Sequence, residues 1–95
     1  MDFIELFNGV VTLAKPVTAE DSFAKAKTDQ LLDLELDSLD TIMLSMYFGE
    51  IYGVDEDTMR SMNETVRTVG DLEAFLEQHK TRTPTSVKAA LSEVK

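Results

Sequence analysis

The chain contains no cysteine, which excludes disulfides, a thiolate nucleophile and any Cys-based metal site. Any thiol chemistry has to come from an attached group. Long hydrophobic runs are missing as well: no stretch approaches the roughly 20 apolar residues of a membrane span. No basic region precedes an apolar stretch near the N-terminus, so the expectation is a cytoplasmic chain that is not exported and does not insert into membranes. Positive charge is scarce. Nine Lys and Arg stand against 18 Asp and Glu, a net charge of −9 that repels nucleic-acid phosphates and anionic lipid headgroups and favours basic protein surfaces as partners. Strand-type alternation, internal repeats and low-complexity tracts are also lacking. With 95 residues the chain can close one modest core but not a deep, walled active site. It is expected to act as a monomer.

Charge is unevenly distributed. From Asp29 to Asp57 there are nine carboxylates and no Lys or Arg, whereas Lys80, Arg82, Lys88 and Lys95 face only Glu93 after His79. This shift divides the chain into a domain over 1–79 and a basic C-terminal tail over 80–95. The tail is expected to be partly disordered, or a marginal extra helix on the spacing of Val87, Leu91 and Val94.

Helical periodicity runs through the domain. Phe3, Leu6, Phe7, Val10, Val11 and Ala14 form one face of a first helix that stops before Pro16. Residues 15–37 read as a long loop with a short helix near 29–33. Ser38 is expected to cap a helix that runs to Tyr52 and ends at Gly53 in a left-handed turn. Residues 56–62 and Asp71 to His79 complete an all-α, small antiparallel four-helix bundle with a long loop between its first and second helices.

The second helix is apolar on two sides. Leu44, Phe48 and Ile51, with Thr41 and Tyr52 nearby, suffice as its core face, while Leu39, Ile42, Met43 and Met46 lie opposite. A domain of this size does not readily bury both faces, and the second one reads as a docking surface. At its start, Leu36-Asp37-Ser38-Leu39-Asp40 puts a hydroxyl at a helix N-terminus, where free N–H groups and the helix dipole favour an attached anion by up to roughly 1 kcal/mol. Nothing supplies an activated base for a serine nucleophile, and His79, about forty residues away, reads as the last turn of a helix.

Asp37-Ser38-Leu39-Asp40-Thr41 followed by an apolar helix, with Thr68-Val69-Gly70-Asp71-Leu72 beginning thirty residues after the serine, resembles the acyl carrier protein family over about residues 2–78. The resemblance implies that Ser38 is the attachment point of 4′-phosphopantetheine, derived from coenzyme A by a phosphopantetheinyl transferase. Asp37 and Leu39 flank the attachment, and no residue of the chain is catalytic or binds a metal. It further implies acyl cargo held as a thioester and presented to acyl-transferring, ketosynthase or similar enzymes of fatty-acid, specialised lipid or polyketide synthesis. Asp40, Ile42, Met43, Met46 and Glu50 are then the partner-docking residues. Phe48, Met59, Met62, Val66, Val69 and Phe75 are the expected lining of a shelter for the acyl chain, the flexible thioethers adapting to the cargo.

The pattern departs from the family at three places. Glu35 stands where the common members carry Gly, two residues before Asp37; the loop between Phe23 and Asp37 is long; and Met43 and Gly49 replace docking glutamates, leaving Asp40 and Glu50. Partner recognition is therefore expected to rely more on apolar contact. Two readings of another kind are a carrier-like interaction module in which Ser38 is only a cap, and a peptidyl carrier. A calcium loop through Asp33, Glu35 and Asp37 fails because Ser38 replaces the turn Gly and Leu44 the bidentate Glu. Asn63-Glu64-Thr65 matches a glycosylation acceptor by chance.

Overall fold

Among the described residues five α-helices form where the periodicity predicts four and a marginal tail. The computed structural model describes residues 2–94; Met1 and Lys95, the outermost residues of the two expected regions, lie outside them. The helices are α1 (Phe3–Ala14), α2 (Ser38–Tyr52), α3 (Glu56–Thr65), α4 (Val69–His79) and α5 (Val87–Val94). Among the described residues there is no strand, only an isolated bridge between Gln30 and Thr68.

Local chemistry explains most boundaries. Asp2 caps α1 by accepting the Ile4 N–H at 2.9 Å, and the helix ends at Lys15 because Pro16 disfavours a helical residue before it. Asp55 accepts the Thr58 N–H at 2.7 Å at the start of α3. Thr68 and Asp71 form a reciprocal capping box at the start of α4, with Asp71 N–H to Thr68 Oγ1 at 3.0 Å and Thr68 N–H to Asp71 Oδ2 at 3.1 Å. Gly53 closes α2 at φ 66°, in the left-handed region where a Cβ is unfavourable.

The core is assembled on α1 and α2. Phe48 of α2 stacks with Phe3 and Phe7 of α1 at ring-centroid distances of 5.7 and 6.2 Å. Leu6, Val10, Val11, Ile51, Leu72 and Leu76 are fully or almost fully buried around them. Residues 15–37 are held at several points and contain two 3-10 turns, Ala19–Ser22 and Leu31–Leu34. Asn8 exchanges two hydrogen bonds with the Ala24 backbone, at 2.8 and 3.0 Å. The Asp29 and Lys27 carbonyls accept the Val69 and Gly70 N–H groups, so this connection also caps α4.

Of the two expectations for the basic tail, partial disorder or an extra helix, residues 87–94 adopt the helix, α5. Low hydrophobicity is outweighed by placement: Ala90 is 0% exposed and α5 rests on α1 and α2. A Cβ built on Gly9 would stand 2.6 Å from Leu91 Cδ1, so the glycine lets the two helices approach. Ahead of α5, Thr81 and Arg82 N–H groups both donate to the Tyr52 carbonyl, and the Arg82 guanidinium donates to the carbonyls of Ile51 and Glu50. The basic segment thus covers the open carbonyl end of α2.

Candidate functional site

Ser38 does not cap α2; this corrects the expectation. Asp37 is the N-cap, with Asp40 N–H donating to Asp37 Oδ1 at 2.8 Å and Asp37 N–H donating to Asp40 Oδ2 at 3.2 Å. Both residues could act as caps, and the aspartate one position earlier completes a reciprocal box that Ser38 cannot. Ser38 becomes the first helical residue, exposed, with its side chain outside the box. The box leaves the first-turn N–H groups of Ser38 and Leu39 pointing beyond the helix end.

The segment leading into Ser38 is unusual. Glu35 adopts φ 56° and ψ 39°, and it is the one non-glycine residue with positive φ among the described residues. A glycine would adopt this backbone freely, whereas a residue with a Cβ is disfavoured there. The Glu35 carbonyl accepts from Lys15 Nζ at 3.1 Å and from the Ser22 hydroxyl at 3.4 Å. Lys15 Nζ also donates to Ser22 Oγ at 2.8 Å and lies 3.7 Å from Asp40 Oδ2. Neither Lys15 nor Ser22 is singled out by the sequence, because their partners lie up to 25 positions away and carry no local pattern.

The stripe of α2 beyond Ser38 faces solvent. Leu39, Ile42 and Met46 are 63%, 56% and 61% exposed, and Met43 is half-buried. Of the two carboxylates expected beside them, Asp40 is committed to the cap and to Lys15, with 13% of its side chain exposed, whereas Glu50 is exposed. Surface charge on this face is thus sparse and apolar area is large.

Two cavities flank α2. One of about 540 Å³ lies against α3 and is bordered by Ile42, Met46, Glu50, Met59 and Met62. The other, of about 420 Å³, is bordered by Phe7, Leu36, Leu44, Phe48, Val66 and Leu72, with Met62 again among its lining. The expected shelter residues are therefore divided: Phe48, Met62 and Val66 meet at the second cavity, and Met59 joins Met62 at the first. Val69 and Phe75 line neither; Val69 is fully buried in the first turn of α4, and Phe75 packs on His79 at a ring-centroid distance of 4.6 Å. Leu36, Leu44 and Leu72 were missed as lining because their spacing reads equally well as ordinary core.

The chemistry available at Ser38 is that of an accessible acceptor. The nearest carboxylates, Asp37 and Asp40, are occupied by backbone N–H groups, and His79 is exposed at the far end of α4. Among the described residues no helix is long and apolar enough to cross a membrane. No family model, no curated protein and no solved structure matches this chain.

Proposed function

We propose that this chain is an acyl carrier, with Ser38 modified by 4′-phosphopantetheine from coenzyme A and the resulting arm holding acyl intermediates as thioesters. The observation that carries the reading is the exposed Ser38 hydroxyl at the first position of α2, free of the capping role that Asp37 performs. Because Asp37 is the cap, Ser38 is not needed for that purpose, which supports the carrier reading over an interaction module in which the serine is only a cap.

The residues suit the group. A phosphodiester on Ser38 is favoured by the α2 dipole and by first-turn N–H groups that the Asp37–Asp40 box leaves over. When bound, the group supplies the thiol that a cysteine-free chain lacks. Loading forms the Ser38 Oγ–phosphorus bond, breaks the pyrophosphate of coenzyme A and releases adenosine 3′,5′-bisphosphate. The hydroxyl proton goes to a base of the phosphopantetheinyl transferase, since the carboxylates nearest Ser38, Asp37 and Asp40, are engaged by backbone N–H groups. Ile42, Met43, Met46 and Glu50 form the docking face for that transferase and for acyl-transferring or ketosynthase-like enzymes, while Asp40 acts mainly through the cap. The 420 Å³ cavity beside Leu44, Phe48 and Val66 supports sheltering of an acyl chain.

Intact-mass measurement after incubation with coenzyme A and a broad-specificity phosphopantetheinyl transferase tests this. The expected result is a gain of one phosphopantetheine in the wild type and none in Ser38→Ala. No gain with several transferases proven active on another carrier overturns the reading in favour of the interaction module.

A further inference from the structure

Lys15 stands at the C-terminal end of α1, and its side chain turns inward, only 14% exposed. An ammonium has three N–H donors. Here the ammonium contacts three separate segments: it donates to Ser22 Oγ at 2.8 Å in the first 3-10 turn and to the Glu35 carbonyl at 3.1 Å, and it forms an ion pair with Asp40 Oδ2 at 3.7 Å in the first turn of α2. A lysine withdrawn this far from water is tolerable only when its charge and donors are matched, and these contacts match them.

The middle contact bears most directly on Ser38. Glu35 is held in the left-handed region, a conformation that a non-glycine residue leaves readily unless its surroundings hold it there. Its carbonyl is gripped by Lys15 and by Ser22, which Lys15 itself orients. Release of that carbonyl lets Glu35 relax toward extended backbone and swings the chain three residues before Ser38. Contact with Asp40 holds the other side of the serine, so the ammonium braces Ser38 from both flanks without touching its hydroxyl.

We infer that Lys15 is a positioning residue for the modification of Ser38, an inference that rests on the carrier reading above. Without the brace, only a fraction of molecules presents Ser38 in the geometry the transferase accepts. The apparent KM for the carrier then rises by the inverse of that fraction while kcat is unchanged, because the transferase draws on the same competent state.

Transfer kinetics followed by intact mass, on wild type, Lys15→Met, Lys15→Arg and Ser22→Ala, test the inference at a temperature where circular dichroism shows each variant folded. Lys15→Met is expected to raise KM about fivefold at constant kcat, the size of a modest population shift. Amide hydrogen exchange over residues 36–41 is expected to speed up with it. Lys15→Arg, which keeps the charge and the donors, should recover most of the wild-type KM. Ser22→Ala removes one anchor while leaving Lys15 in place, and it should move KM in the same direction; it carries the test if Lys15→Met fails to fold. Wild-type KM in every folded variant overturns the inference, as does a loss of activity that only tracks the unfolded fraction. Absence of modification in the wild type itself is a different result: it removes the carrier reading, and this inference with it.

Discussion

Asp37 and Asp40 each accept the other's backbone N–H, at 2.8 and 3.2 Å, and Ser38 lies between them without sharing in the exchange. The pair closes the start of α2 and leaves the serine hydroxyl accessible. Asp37→Ala is therefore expected to cost about 1 kcal/mol of folding stability, the usual value of a lost N-cap. Ser38→Ala should stay within about 0.5 kcal/mol, as for an exposed side chain without a structural partner. Urea denaturation of the two variants separates these outcomes, and equal losses would mean that Ser38 contributes to the cap.

Glu35 offers a stabilising substitution. Its left-handed backbone costs an L-residue roughly 1 kcal/mol or more, and glycine adopts it freely. After the greater entropy of glycine in the unfolded chain is offset, Glu35→Gly is expected to gain about 0.5 kcal/mol, whereas Glu35→Val should lose more than about 1 kcal/mol. Denaturation midpoints at constant m-value check both signs.

Ala90 tests whether α5 is integral to the core. It is fully buried between α5 and the body of the protein, so Ala90→Glu places an unpaired carboxylate there. The expected cost is about 2–4 kcal/mol. Lys88→Glu, at an exposed position of the same helix, should change stability by less than about 0.5 kcal/mol. Thermal melts of the two variants distinguish a docked α5 from one that is dispensable, and a small effect of Ala90→Glu would show the latter.

Stability should fall at both ends of the pH scale, for different groups. Backbone N–H groups of Arg67 and Thr68 hold the Asp71 carboxyl below its ordinary value, and those of Lys25 and Ala26 do the same for Asp29. Their stabilisation is complete above the unfolded carboxyl value of about 4 and is lost as pH falls through the lower folded-state values. At the alkaline end, burial first and then the Glu77 and Glu73 charges push the Tyr52 hydroxyl up to about 12 from an ordinary 10.0. The unfolded chain ionises first, so stability is full below pH 10 and declines as pH rises toward 12. Ultraviolet titration at constant temperature should find the Tyr52 transition near 12 until unfolding merges it with an ordinary tyrosine, and Asp71→Asn should flatten the acid limb of a urea-midpoint profile.

Features governed by neighbours a few positions apart can be read without coordinates. Pro16 ends α1, Gly53 ends α2, and the apolar steps of α1 mark its buried face, because each effect acts through one turn of backbone. The same holds for the exposed stripe of Leu39, Ile42 and Met46, since α2 is apolar on both sides and a chain of 95 residues has too little mass to cover both. Ser38 at a helix start is equally local, although the cap itself belongs to its neighbour.

Other features depend on how distant faces meet. Which apolar residues line a cavity is set by the rotation of α4 against α2; Leu72 thereby reaches the 420 Å³ cavity, and Val69 and Phe75, on the same helix, do not. Order in the basic segment follows from the gap that Gly9 leaves for Leu91 and from the carbonyl end of α2 that Arg82 covers. Lys15 is the plainest case: Ser22, Glu35 and Asp40 lie 7, 20 and 25 positions away and converge on one ammonium only after the connection is folded against α1 and α2. Periodicity and capping act along one segment and leave their mark in the order of residues, whereas a contact between segments exists only once the faces have been paired in space.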